Sequence, residues 1–362
     1  MAWVALGLVL PVVVPSTLGD QRAPDATRTS EAAAFLAPAP LPAAPVAAPT
    51  TVAWPLVLPV APATAAPAPP VAPRVASSAA RQAWLWPFAA DSPWNAGVGA
   101  AARYEQSTDS ETAALVRGDV RAWVNADQYS QPVYRATVLD PVATVQPASA
   151  PAVQYRIPDV ARPAAGTDAN LNVVEPSGRW ADESWHMRGQ NPSWTSGHHL
   201  AVDLFGSGFG CGVRASGASA IGGLIRQWEL DVGSIRHALA LAITGDQLRR
   251  GPVWPATSED GDAAGSYTGP VPMGAFAAIP RGVDVGSLGL SPIGLALARA
   301  MQDYGVFVVD RTAGAVALYA EPTVGGGQLA ELRQAFGVLR GQLRIVTDDG
   351  GARVVAPPPP LL

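Results

Sequence analysis

The sequence predicts a mainly β protein: a jelly-roll-like β-sandwich with one packed helix at about 292–304, a short C-terminal helix and a hairpin. A disordered Pro/Ala-rich N-terminal arm precedes it. Three observations lead there. Short segments rich in Val, Ile, Tyr and Trp recur from Val120 to Ala320 between Gly, Pro, Asp and Asn turns. In that stretch only Pro292–Tyr304 has the spacing and caps of a helix, whereas an α/β fold needs repeated crossover helices. Gly and Pro number 36 each among 362 residues, an excess gathered outside the middle of the chain, which fits one domain and a long irregular arm.

Hydrophobic residues make up 48% of the chain, ample for one large core, and charged residues only 15%. A formal net charge of −5 offers nothing to attract nucleic acid or an anionic membrane surface. Apart from His, every basic residue is arginine; there is no lysine. Schiff-base chemistry, a lysine base and a lysine-dependent phosphate loop are therefore excluded. Cys211 is the single cysteine, so no intramolecular disulfide forms, and between glycines it reads as a small core or turn residue.

In chain order, the apolar run 2–14 has signal-peptide length and is too short to span a bilayer, although no Arg or Lys precedes it and Pro11 interrupts it. It predicts a secreted or cell-surface protein with a signal-like segment at 1–19; the competing reading is a start upstream of Met1. Residues 20–83 are Ala/Pro/Val-rich, and their close prolines prevent helix and ladder formation. They read as a disordered linker, or as a polyproline II spacer holding the domain away from a cell envelope. The domain is placed at 84–355 and a disordered tail at 356–362.

The lead-in carries Trp84, Trp86, Phe88 and Trp94 and reads as a segment pinned against the core, or as a sugar-stacking platform. Strands are expected at 120–124, 133–139, 153–157, 171–174, 179–187, 200–204, 235–243, 276–279, 306–310 and 316–320. Ser291 caps the helix, Pro292 fits its first turn and Gly305 stops it. Its Ile293, Leu297, Ala300 and Met301 share a face and lie on a sheet. After glycines 325–327 come an amphipathic helix, 328–339, and a hairpin of 342–346 with 353–355.

Most residues with chemical capacity lie in or just before 199–243. The two-residue period sets His199 and Asp203 on one face of their strand, lining a cleft floor or a solvent edge. In the preceding strand it sets Glu183 with Trp185 and Asp182 with His186. A carboxylate beside an indole is a sugar-binding pair, or else a rim carboxylate beside a core Trp. The run 206–212 lacks the setting of a phosphate loop and, with the small residues up to Gly223, reads as a flexible loop able to move over a cleft. Arg226 and Glu229 fall on a turn or single helical turn and are spaced to pair; Arg226 suits a substrate carboxylate. His237 shares a row with Ile235, Leu239, Leu241 and Ile243, either a satisfied core residue or an imidazole tuned as a base. Tyr304 and Asp310 flank the strand after the helix as further cleft residues. Glu259, Asp260 and Asp262 form a solvated turn or an incomplete calcium loop. No HExxH spacing occurs and one Cys makes no zinc cluster, so neither a transition metal nor another cofactor is expected.

The blocks DSPWN, ANLNVVEPSGRWADESWHM, GLIRQWEL with GSIRHALALAI, VWPATSEDG, and SPIGLALARAMQDYGVFVVD with VALYAE carry a likeness. Over about 84–355 the chain resembles a loosely defined group of exported bacterial β-sandwich proteins, distantly similar to jelly-roll polysaccharide lyases and other carbohydrate-active proteins. The resemblance implies a polysaccharide-cleaving enzyme acting on a polysaccharide or cell-envelope glycan, with a cleft around Asp203, Arg226 and His237. As a lyase, Arg226 neutralises a uronate carboxylate, His237 or His186 takes the C5 proton, and Tyr304 protonates the leaving oxygen. As a hydrolase, Asp203 and Glu183 form the acid–base pair. Trp185, His199 and Glu229 are the substrate-binding residues in either case. The alternative is a non-catalytic glycan-binding or envelope structural module displayed on the Pro-rich stalk.

Overall fold

The computed structural model describes residues 82–350. The 1–19 segment, nearly all of the 20–83 arm, the 353–355 hairpin strand and the 356–362 tail lie outside the described residues. Within them the protein is mainly β, with several sheets and few helices. The centre is a seven-stranded sheet in the order Arg103–Tyr104, Arg344–Asp348, Phe276–Ala278, Val306–Thr312, Leu239–Thr244, Ala315–Tyr319, Arg121–Asn125. A jelly roll pairs its strands antiparallel. This sheet is mixed: 239–244 runs parallel to 306–312, and 315–319 parallel to 121–125. Parallel neighbours need a crossover, and the helix Pro292–Asp303 lies in the one joining 239–244 to 306–312. Strand 344–348 pairs with 103–104 and 276–278.

The β-branched and leucine residues of the central strands point one way. Leu239, Leu241, Ile243, Val306, Val308, Val316 and Leu318 pack against Leu297, Met301, Leu332, Phe336 and Leu339 of the helices Pro292–Asp303 and Gly326–Leu339. Each such side chain stabilises the fold by roughly 1.5–3 kcal/mol when fully buried, so this helix-on-sheet layer is the main core. The opposite face of the sheet is small: Ala238, Ala240 and Ala242 lie there with Phe307, Val309 and Tyr319. Phe88, Trp94 and Phe209 fill the space above it, Trp94 stacking on Phe209 at 4.7 Å. The lead-in is thereby pinned, with Trp86, Phe88 and Trp94 buried.

The Gly/Ser run 206–223 is not a loop over a cleft. Residues 216–226 are buried, and the glycines serve close approach rather than motion. A Cβ on Gly223, whose φ is 68°, would lie 2.2 Å from the Ala240 nitrogen; one on Gly222 would lie 2.6 Å from the Trp94 ring.

A four-stranded sheet, His198–Asp203, Trp180–Trp185, Leu171–Val174 and Val133–Arg135, covers part of the small face through Val174, Ala181 and Val202. Its other side, through Leu171 and Val173, packs on Ala143, Val145, Tyr155 and Trp194 of a further four-stranded sheet. Two of that sheet's strands, Val142–Pro147 and Ser193–Ser196, carry prolines and serines that gave no strand signal. Strand 180–185 ends where His186 turns left-handed, at φ 60°.

Strand 121–125 forms an edge of the seven-stranded sheet, and open edges template unwanted pairing. Arginines from the C-terminal helical segment cover it: Arg340 Nη1 donates to the Val120 carbonyl at 2.6 Å and Arg333 Nη2 to the Val124 carbonyl at 3.0 Å. Arg340→Met leaves a buried carbonyl without that donor. The substitution is expected to cost about 1–3 kcal/mol and to lower the thermal midpoint by several degrees; an unchanged midpoint in a calorimetric scan would contradict this role.

Candidate functional site

The residues that the sequence singles out do not meet in one open groove. His237 is only 9% exposed. Its Nε2 lies 3.0 Å from the Glu229 carboxylate and its Nδ1 2.8 Å from the Ala238 carbonyl. Burial works against the imidazolium, but the Glu229 charge and hydrogen bond, with the Ala238 carbonyl, outweigh it and raise the pKa. Glu229 also accepts from the Arg226 N–H at 2.9 Å, closing the N-terminal turn of the helix Gln227–Val232. The Arg226 guanidinium pairs with Glu321 at 2.5 Å and donates to the Trp84 carbonyl at 3.0 Å, tying the lead-in to the sheet. The hollow beside Arg226 and His237 holds about 10 Å³, room for a water molecule and not for a sugar.

Glu183 is 0% exposed. It accepts from the Ser219 hydroxyl, from the Ala220 N–H at 2.8 Å and from the Val213 N–H at 3.4 Å, and burial pushes its pKa up. This carboxyl is the anchor of the Gly/Ser run. Asp203 accepts from Arg179 at 2.8 Å, which holds its pKa below the usual carboxylate range. Register sets Glu183 opposite Leu200 and Asp203 opposite Trp180, so the two carboxylates leave opposite faces of their sheet and form no acid–base pair. Tyr304 packs at the rim of the Trp94 cluster. The carboxylates of the acidic loop are each taken by protein partners: Glu259 by the Gly251 N–H, Asp260 by Tyr267 and Arg311, Asp262 by Arg311. Among the described residues no His, Cys, Asp and Glu cluster is placed to hold a metal, and no helix is long and apolar enough to cross a membrane.

Between the two four-stranded sheets lies a Ser–His–Asp arrangement. His199 Nδ1 is 3.2 Å from the Ser184 hydroxyl and its Nε2 is 3.5 Å from Asp182; the ring stacks on Tyr155, whose hydroxyl is 3.3 Å from Ser184. Ser184 is completely buried, so no substrate reaches it as a nucleophile. Burial, with Glu175 and Glu183 nearby, pushes Asp182 up to about 7, and burial, with His198, pushes His199 down to about 4. Near pH 5.5 the pair is therefore neutral: a buried polar contact between adjacent strands of one sheet, not an ion pair.

The open site is elsewhere. The small face of the central sheet is left uncovered beyond the Trp94 cluster, and a cleft of about 890 Å³ opens there. Ala315, Ala317 and Tyr319 form its floor with Arg121, Trp123 and Asn125, which register places beside them. Gln128, Tyr129, Thr167 and Asp168 also line it. Tyr129 is 37% exposed, and the back of its ring lies on Gly166, where a Cβ would come within 2.9 Å of it. Of four left-handed non-glycine residues described, Tyr129, Ala169 and His186 belong to the loops on this side. Such backbone strain gathers at functional sites. Burial raises the Asp168 pKa, while a hydrogen bond from Trp185 and the nearby His186 pull the other way. Trp185 and His186, stacked at 4.5 Å, thus border the cleft through Asp168.

A bulge shapes the floor. Leu241 faces Val308 but Ala242 faces Asp310, so Val309 is the extra residue and Asp310 turns to the small face with it. The Asp310 carboxyl, 27% exposed, accepts from the Tyr319 hydroxyl at 3.4 Å and lies 3.8 Å from Arg214 Nη1. Burial pushes its pKa up to about 6, with Arg214 opposing. Asp310, expected from its place after the helix to be a cleft residue, is not among the residues that line the cleft; it lies beside Tyr319, which is. The alternation of Arg121, Trp123 and Asn125 is visible in the sequence, whereas nothing local marks Tyr129 or Asp168.

Comparisons with protein-family models, curated proteins and solved structures found no match to this chain.

The neutral Asp182–His199 pair has a pH signature. The folded state holds the Asp182 proton up to about pH 7 against an ordinary value of 3.8, so this group's contribution falls as pH rises through that window. His199, whose ordinary value of 6.5 drops to about 4 on folding, contributes in the opposite sense over its own window. Relative to the wild type, the stability of Asp182→Asn is expected to rise between pH 4 and 7, read from denaturant midpoints across pH. Parallel profiles would remove the raised Asp182 pKa from the account.

Proposed function

We propose that this domain binds a glycan in the cleft over strands 121–125 and 315–319, as an exported or cell-surface module, without cleaving it through the residues first singled out. The observation that carries this reading is Tyr129: an exposed ring set against bare Gly166, lining a cleft of about 890 Å³ together with Asn125, Gln128, Thr167 and Asp168. Ligand sites pair apolar surface with a few convergent polar groups. A flat ring covers the C–H face of a pyranose, and amide, hydroxyl and carboxyl groups take the hydroxyls around its rim. The apolar leader and Pro/Ala-rich arm read from the sequence support display outside the cell. The sealing of Arg226, Glu183 and His237 removes the groups that lyase chemistry or the Asp203–Glu183 pair would need.

One observation favours a second reading, hydrolysis at the same cleft. The bulge turns Asp310 to the small face beside Tyr319, behind the residues that line the cleft, and with its pKa near 6 it holds a transferable proton in mildly acidic solution.

Calorimetric titration of the intact chain with neutral and acidic oligosaccharides tests both. Tyr129→Asn keeps a residue that tolerates the left-handed backbone. It is expected to weaken binding at least tenfold, about 1.4 kcal/mol. Equal affinity in that variant, or no binding by the wild type across the panel, would overturn the glycan reading. Release of new reducing ends that disappears in Asp310→Asn would establish hydrolysis; binding without release leaves a binding module.

A further inference from the structure

We infer that Arg121 makes the cleft selective for glycans bearing an oxyanion, a carboxylate or sulfate group on the sugar; this rests on the glycan reading of the cleft. The Arg121 guanidinium carbon lies 3.4 Å from the centre of the Trp123 ring, and that of Arg333 lies 3.6 Å from it. Two guanidinium groups that close to one ring cannot share a face, so the indole is sandwiched between them. Trp123 therefore offers no face to a pyranose. It acts as a plate that holds Arg121 flat, with the in-plane N–H edge left to bond outward.

The charges around the cleft are unequally compensated. Arg333 is tied to Asp127 at 2.7 Å and to the Val124 carbonyl. Arg311, which also lines the cleft, pairs with Asp262 at 3.1 Å and Asp260 at 3.7 Å. Among the described residues Arg121 has no carboxylate within ion-pair distance, although it lines the cleft and is exposed. An oriented guanidinium with a free edge bonds an oxyanion through two parallel N–H groups, a match that a neutral hydroxyl does not reproduce. The second arginine locks the arrangement from outside: the same Arg333 that closes the sheet edge covers the other indole face. Tyr129 then takes the sugar ring and Arg121 reads its charge.

The test uses the intact chain and three oligosaccharides of equal length: neutral, carboxylated and sulfated. The acidic ligands are expected to bind the wild type at least tenfold more tightly than the neutral one, with affinity falling as salt rises. In Arg121→Gln that preference is expected to disappear, while an unchanged thermal midpoint shows the fold intact. Arg121→Lys, which keeps the charge and loses the flat stack and paired donors, is expected to recover only part of it. A preference for one acidic ligand alone identifies the group recognised and supports the inference. Equal binding of neutral and acidic ligands, or a preference that survives Arg121→Gln, overturns the role of Arg121 and leaves the glycan-binding cleft standing. Failure of the wild type to bind any of the three removes both.

Discussion

Small side chains on one face of the central sheet decide what can lie over it. Ala240 and Ala242 let the backbone of 222–223 and the Trp94 ring approach the strands closely, which seals that half with aromatic area. Ala317, paired with Ala242 across the strands, continues the same low surface to the edge. Among the described residues no aromatic ring fills the space above Ala315 and Ala317, and the cleft is the space left over. Core and site are thus two outcomes of one alanine face, separated by where the lead-in and the Gly/Ser run end.

The buried charged groups follow a common rule. A carboxylate or guanidinium taken out of water must be met by partners at once. Glu183 gathers two N–H groups and a hydroxyl, Arg226 meets Glu321, and His237 meets Glu229. These arrangements orient segments far apart in the chain: Glu183 fixes the Gly/Ser run, and Arg226 ties the lead-in near Trp84 to Glu321. Paired and buried in this way, the groups are closed to a substrate. At the cleft the compensation is incomplete, since Arg121 keeps a free edge.

Much of the fold was legible in local patterns. Helix 292–303 starts at Ser291, whose hydroxyl accepts the Gly294 N–H, and Gly305 follows it. The Val- and Ile-rich runs at 171–174, 306–312 and 315–319 are strands. The site was less legible. The period of two shows which residues of one strand share a face, but not which face is covered; Glu183 and Asp203 both looked available, and one is sealed. Glycine density suggested mobility at 206–223, because a glycine demanded by close packing and a glycine that permits motion look alike in a sequence.

By itself the sequence determined the class of structure, the long helix near the C-terminal half, the absence of lysine chemistry and the apolar lead-in, since each depends on neighbours within a few residues. Only the tertiary structure decided which strands run parallel, where the bulge turns Asp310, and that Trp123 lies between Arg121 and Arg333. Those depend on residues far apart in the chain meeting in space, and the burial that satisfies or strands a charge exists only once they have met.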